Sequence, residues 1–261
     1  MIQVYMSESQ ERQVMLQMVK ESCIGMLRGK LIVSCQAFEG EPLFGPVFMS
    51  AMAECVVFGG AGGIRANGPA DIAAIRKVTD LPIIGIWKRV YEGYEPYISP
   101  TLNDVLAVVE VGADIVAVDA TSRVHPGGIS AEELIKSIKD RVDIPVMADV
   151  STVEEGLCSE SAGADLVATT LSGYTPYPRV CEETGPPYKL LEELVRRLSI
   201  PVVAEGRIWG PKQACLALKK GAYAVTVGAA ISRPHMITRR FVEVMQQCTP
   251  DDKIVDCNSH I

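Results

Sequence analysis

Short aliphatic runs recur along the chain and alternate with segments in which apolar side chains return every three or four positions. Two half-motifs repeat. One sets an acidic or polar residue and an aliphatic before proline and further aliphatics: DLPIIGI at 80–86, DIPVMAD at 143–149 and SIPVVAE at 199–205. The other begins with Gly-Ala and runs into a β-rich stretch: GADIVAVDA from 112, GADLVATT from 163 and GAYAVTVG from 221. With LIVSC at 31–35 and GGIRA at 62–66 these make eight strand candidates. Helical spacing falls between them, for instance over 101–111, 130–140, 187–198 and 211–220, and a helix at about 235–247 closes the eighth unit.

Strands buried on both faces read as continuous aliphatic runs, and their alternation with helices implies parallel pairing through right-handed crossovers. Eight such units in one chain of this length fit a closed (β/α)8 TIM barrel, an α/β fold. An open doubly wound sheet shares the alternation, but eight near-equal units favour closure and no dinucleotide fingerprint is present. The stretch GGAGGIRANG at 59–68 runs helix, glycines, strand, the reverse of a phosphate-cradling loop, so its glycines are expected to allow close packing at a strand start. Residues 10–27 carry Val14, Met15, Met18, Val19, Ile24 and Leu27 on one stripe and predict an extra N-terminal helix that covers the bottom of the barrel. The expected organisation is an extension over 1–28, a single barrel domain over 29–248 and a polar tail over 249–261.

Composition narrows the function classes. The chain has 261 residues, 48% hydrophobic and 22% charged, which fits a globular protein with a sizeable core. Its formal net charge of −7 lacks the basic surplus of a general nucleic-acid binder. No window reaches the ~18 apolar residues of a membrane span, and the N-terminus does not read as a signal peptide, so a cytoplasmic location is expected. The eight cysteines are scattered and are expected to be free thiols in a reducing compartment. Three histidines, His125, His235 and His260, argue against a histidine-rich metal site.

In such a barrel the chemistry lies at the C-terminal ends of the strands. Those ends read Ser34-Cys35-Gln36, Arg65-Ala66-Asn67, Lys88-Arg89, Asp119, Asp149, Thr169-Thr170, Glu205-Gly206-Arg207 and Gly228. An isolated charge there is usually a solvated strand end, but so many on one face predict a polar pocket. Side chains two apart share a strand face, so only one of Lys88 and Arg89 enters the mouth, and Glu205 follows Val203 towards the same space. Like charges around Lys88 are expected to lower its pKa and make it a general base, unless it merely neutralises Glu205. The loops AEGRIWGP and VGAAISRP after the seventh and eighth strands suit a phosphate: Gly206 and Gly228 allow close backbone approach, Ala229 and Ala230 keep space open, and Arg233 pairs with the anion.

These residues carry a resemblance to the N-acetylmannosamine-6-phosphate 2-epimerases, phosphate-binding (β/α)8 barrels. It runs from about Gly29 to Phe241 through LIVSCQA with GEPL, GGIRANG, PIIGIWKR, YISPTL, ADIVAVDAT, MADVST, TTLSGYT, AEGRI and VGAAISRP. Each block is short, and nine in order are specific. The resemblance implies interconversion of N-acetylmannosamine 6-phosphate and N-acetylglucosamine 6-phosphate in sialic acid and amino-sugar catabolism. By position it implies Lys88 and Glu205 as catalytic residues, Gln36, Arg65 and Asp149 on the sugar, and Gly206, Arg207, Gly228 and Arg233 in substrate and phosphate binding. It also suggests a homodimer. RVHPGG at 123–128 departs from a more basic loop, Trp209 stands where a small polar residue is usual, and Ala229 replaces a common serine.

The implied reaction removes a proton from C2 of the open-chain sugar and returns it on the opposite face. It needs no metal or organic cofactor, although Asp119, Asp149 and Glu205 are conceivable Mg2+ ligands. Two other readings stay open: a Schiff-base aldolase that uses Lys88 on a phosphorylated keto sugar, and a non-catalytic phosphosugar sensor.

Overall fold

The computed structural model describes residues 23–175 and 185–248. Its first half runs β1 (Leu31–Cys35), α1 (Pro46–Phe58), β2 (Gly63–Asn67), α2 (Pro69–Arg76), β3 (Ile83–Ile86), α3 (Leu102–Glu110), β4 (Ile115–Asp119) and α4 (Ala131–Arg141). The second half runs β5 (Val146–Asp149), α5 (Val153–Ala162), β6 (Leu166–Ala168), α6 (Tyr188–Arg197), β7 (Val202–Glu205), α7 (Pro211–Lys219), β8 (Ala224–Val227), α8 (Ala229–Ser232) and α9 (Pro234–Gln247). The eight strands are parallel and close in sequence order, β8 returning to β1 through Leu31 opposite Val225 and Val33 opposite Val227. The expected TIM barrel is the observed fold.

Strand alternation splits the core in two. Val33, Ile64, Val116, Val118, Val146, Val167, Val202 and Val225 face outward and join a cluster with the helix residues Met49, Ile72, Val105, Leu134 and Leu194. Ile32, Ile84, Ile86, Ile115, Ala117, Met147, Leu166, Ala168, Val203 and Ala224 fill the barrel interior. Both faces are dry, which explains the continuous aliphatic runs; each fully buried Ile, Leu or Val contributes roughly 1.5 to 3 kcal/mol.

The bottom of the barrel is stopped by the segment before β1. Leu27 is fully buried in the inner cluster, and a Cβ on Gly63 would stand 2.5 Å from its Cδ2. A Cβ on Gly62 would stand 2.5 Å from Lys30 Cβ, so these glycines serve the close packing expected of them. Gly29 N donates to Tyr223 O (2.7 Å), and the Tyr223 hydroxyl donates to Ile24 O (3.2 Å), tying the plug to the foot of β8. Residues 23–26 form a helical turn, the end of the expected N-terminal helix. The rest of that extension, the tail over 249–261, Cys181, Cys257 and His260 lie outside the described residues. Cys35, Cys55, Cys158, Cys215 and Cys248 are not joined in disulfides. Among the described residues no helix is long and apolar enough to cross a membrane.

Candidate active site

The inward parity that fills the barrel with aliphatics delivers the polar residues at its top. Two residues beyond Ile32 stands Ser34; beyond Gly63, Arg65; beyond Ile86, Lys88; beyond Ala117, Asp119; beyond Met147, Asp149; beyond Ala168, Thr170; beyond Val203, Glu205; and beyond Ala224, Thr226. Above them opens a cavity of about 340 Å3 whose lining includes Ser34, Gln36, Arg65, Lys88, Thr170, Glu205, Gly206, Arg207, Gly228 and Arg233. Phe38, Tyr97, Tyr174, Trp209 and Thr226 line it as well.

Arg65 is the centre of the floor. It is 1% exposed, forks onto both oxygens of Asp149, with Nη1 to Oδ1 at 3.1 Å, and pairs with Glu205 Oε2 at 3.0 Å. The Thr170 hydroxyl donates to Asp149 Oδ1 (2.7 Å) and to Glu205 Oε2 (3.2 Å). Thr169 braces the Glu205 backbone, its Oγ1 donating to Glu205 O (2.8 Å) and accepting from Glu205 N (3.0 Å). Burial works against the Arg65 charge, and Asp149 and Glu205 reverse that effect, raising its pKa. Burial raises the Glu205 pKa, with Arg65 opposing and Asp149 reinforcing. Asp149, like Asp119, is fully buried and absent from the cavity wall. Its carboxylate holds Arg65, which does line the cavity.

Lys88 is set by a turn the sequence pattern did not reveal. After β3 the chain doubles back so that Lys88 bridges Ile98 in antiparallel fashion, with Arg89 N on Tyr97 O (3.0 Å) and Ser99 N on Trp87 O (2.9 Å). Buried Ser99 takes a φ of 44°, a left-handed conformation that costs roughly 1 to 2 kcal/mol. Lys88 N donates to Asn67 Oδ1 (2.8 Å), which fixes the height of the side chain in the mouth. Arg89 points the other way, onto Asp104 Oδ1 (3.1 Å), and Asp104 also closes the capping box with Thr101 at the start of α3. Burial and then the Arg65 charge lower the Lys88 pKa to about 8, with Glu205 and Asp149 opposing. The expected effect of like charges is present but ranks behind burial. The ion pair of Glu205 is made with Arg65, while Lys88 Nζ sits 4.9 Å from the centre of the Phe38 ring.

The expected phosphate end lies across the cavity. Gly206 takes a φ of 115°, open only to glycine at low cost, and a Cβ on Gly228 would stand 3.3 Å from Ser34 Cβ. Ser232 Oγ donates to Ser34 O (2.7 Å), pinning α8 to β1. Arg233 faces the same cavity, pairs with Glu41 through both Nε (3.2 Å) and Nη2, and stacks 4.6 Å from the Phe38 centroid. Arg207 directs its guanidinium to backbone carbonyls, Nε to Gly185 O (2.7 Å) and Nη1 to Ser172 O (2.5 Å), so it braces the loops of the rim. Gln36 Nε2 donates to Ser34 Oγ (2.7 Å).

Among the described residues no three His, Cys, Asp or Glu side chains gather to hold a metal ion. The carboxylates considered for Mg2+ carry their own cations: Asp119 pairs with Arg123 at 2.6 Å, and Asp149 and Glu205 share Arg65. Sequence reasoning missed Phe38, Glu41, Tyr97 and Thr226. Only Thr226 had a usable signal, its parity two residues before Gly228.

A closed parallel barrel with a polar cavity at the C-terminal ends of its strands defines the (β/α)8 class, whose enzymes carry their chemistry on that face. Comparison with known proteins gives the particular branch. The family described as "Putative N-acetylmannosamine-6-phosphate epimerase" matches residues 49–247, and the chain belongs to it. A Caldanaerobacter subterraneus protein named "Putative N-acetylmannosamine-6-phosphate 2-epimerase" is 55% identical over 86% of this chain and 94% of its own. A Clostridioides difficile protein of the same name is 46% identical over 84% of this chain and 97% of its own. The solved N-acetylmannosamine-6-phosphate 2-epimerase of Clostridium perfringens is 45% identical, covers 85% of this chain and 95% of its own, and superposes with a TM-score of 0.81. Thiamine phosphate pyrophosphorylase of Pyrococcus furiosus, at 20% identity and a TM-score of 0.53, shares the fold alone.

Proposed function

We propose that the protein interconverts N-acetylmannosamine 6-phosphate and N-acetylglucosamine 6-phosphate by removing and returning the proton on C2, a step of sialic acid and amino-sugar catabolism. The observation that carries this reading is Lys88: a lysine in the cavity wall whose pKa is lowered to about 8, facing the same space as Glu205 and Arg65. About a tenth of its amine is then unprotonated at pH 7, against less than a thousandth for an ordinary lysine. The names of the relatives supply the sugar phosphate.

In the open-chain sugar the C2 proton lies beside the aldehyde. Lys88 Nζ takes it, the C–H pair moves into the C1–C2 bond, and the carbonyl electrons move onto oxygen. The Arg65 guanidinium, kept charged by Asp149, stabilises that enolate oxygen. Glu205 is the second proton carrier of the cavity; burial raises its pKa while the Arg65 charge opposes the rise. Return of a proton to the other face of C2 completes epimerisation. Gly206, Gly228 and Arg233 receive the phosphate, and Gln36 contacts the sugar, while Arg207 shapes the rim.

The test is proton NMR of N-acetylmannosamine 6-phosphate with the protein in D2O. The expected result is appearance of the epimer with deuterium at C2. Absence of turnover by folded protein sinks the reading. Borohydride with substrate separates the aldolase alternative, since irreversible trapping on Lys88 requires an imine that proton abstraction does not form.

The same reading treats 29–248 as the catalytic unit, working in the cytoplasm as a homodimer. Support for the dimer comes from α9, which buries none of its residues and leaves Phe241, Val242, Val244 and Met245 exposed. Such a face on an otherwise polar helix marks an association surface.

A further inference from the structure

The loop between β1 and α1 brings one aromatic ring to two cations. We propose that Phe38 is a positioning residue of the site: its ring carries the Lys88 ammonium beside the guanidinium of Arg233. Lys88 Nζ lies 4.9 Å and Arg233 Cζ 4.6 Å from the ring centroid, and all three side chains line the cavity. Both distances fall within the ~6 Å over which the negative face of an aromatic ring attracts a cation.

The ring is held by its own loop. Glu41 accepts from Phe38 N (3.2 Å) through the carboxylate that pairs with Arg233, and Glu41 N donates to Phe38 O (2.9 Å). Glu41 therefore ties the backbone under the ring to the cation beside it. Phe38 is nevertheless 45% exposed, so core packing does not account for an aromatic side chain here.

The chemical consequence concerns the lysine. As base it must become an ammonium when it takes the proton, in a cavity where burial and Arg65 both oppose that charge. Around it stand Arg65 from β2, Asp149 from β5 and Glu205 from β7, with Arg233 and its partner Glu41 near the ring. Asp149 and Glu205 favour the ammonium but are held by Arg65. The Phe38 face attracts the ammonium without being a proton acceptor, so it supports the charged form without removing the proton that must be exchanged.

The use of Lys88 as base rests on the function proposed above; the placement of its charge on Phe38 does not. The test is the pH dependence of Lys88 acetylation by a brief pulse of acetic anhydride, read by mass spectrometry in the full chain and in Phe38→Leu and Phe38→Tyr. Leu keeps the apolar bulk and removes the ring; Tyr keeps the ring. The Lys88 midpoint should fall by roughly 0.4 to 0.7 units in Phe38→Leu and stay near its original value in Phe38→Tyr. An unchanged or raised midpoint in Phe38→Leu, or an equal fall in both variants, overturns the proposal. The acidic limb of kcat/KM for N-acetylmannosamine 6-phosphate should move with the midpoint; a role in loop shape alone changes KM and leaves the limb in place. If the protein does not turn over this sugar, the acetylation midpoint still decides for or against Phe38, so the two failures are distinct.

Discussion

Lys88 shows at the scale of one residue that a reactive amine and a stable fold pull apart. Its folded pKa of about 8 lies below the ordinary 10.5, so the unfolded chain binds the proton more tightly between those values. Stability from this group is therefore lowest below pH 8, rises as pH climbs from 8 towards 10.5, and is fully recovered above that. At pH 7 the penalty is roughly 3 kcal/mol. Lys88→Met should abolish turnover, yet raise the midpoint of denaturant unfolding at pH 7, with the gain shrinking by pH 10. Appreciable activity in this variant counts against Lys88 as the base; an unchanged midpoint counts against its burial in charged form. Much of this residue was legible beforehand. Alternation along PIIGIWKR separates Lys88 from Arg89, and the structure keeps that division. The pairing of Asp149 with Arg65 was not legible, because parity tells which way a side chain points but not which residue of a distant strand meets it.

At the scale of elements, the strands were readable because a strand dry on both faces leaves an unbroken aliphatic signature, bounded here by Gly-Ala or by proline. β6 shows the limit. GADLVATT predicts a longer strand than Leu166–Ala168; Thr169 N still donates to Val203 O (3.2 Å), but beyond it the chain turns, and the Thr169 and Thr170 hydroxyls go to Glu205 O and Asp149. The return of the chain from Trp87 to Ser99 had no periodic signal because its order comes from one bridge and a left-handed serine. The β1–α1 loop was equally silent: Phe38 and Glu41 take their meaning from Lys88 and Arg233, which arrive from distant parts of the chain. Helix α9 was expected and is present, but Phe241, Val242, Val244 and Met245 in its second half are exposed, the face on which the proposed dimer rests. Sedimentation of the full chain should therefore give twice the monomer mass, and Phe241→Glu should shift it towards the monomer while circular dichroism stays unchanged. A monomeric wild-type protein rules the dimer out.

For the whole molecule, the inward faces of the eight strands serve as core below and as chemistry above, with no boundary between the two. The polar layer rests on Ile86, Ala117, Met147 and Ala168, so its geometry is as firm as the packing beneath it. The charges of that layer also nearly cancel: Arg65 and Lys88 face Asp149 and Glu205, and Arg233 at the far end is matched by Glu41. A sugar phosphate thus approaches a mouth with almost no net pull, on a chain whose formal charge is −7. With the phosphate placed as proposed above, long-range steering is not expected, and recognition would begin at contact, where the phosphate competes with Glu41 for Arg233. Raising ionic strength from about 0.01 to 0.15 M, which shortens the screening length from roughly 30 to 8 Å, should leave kcat/KM level or slightly increased. A steep fall would reveal an attractive field. On the proposed reading, the anion is chosen by exchange at the doorstep instead of being drawn in from afar.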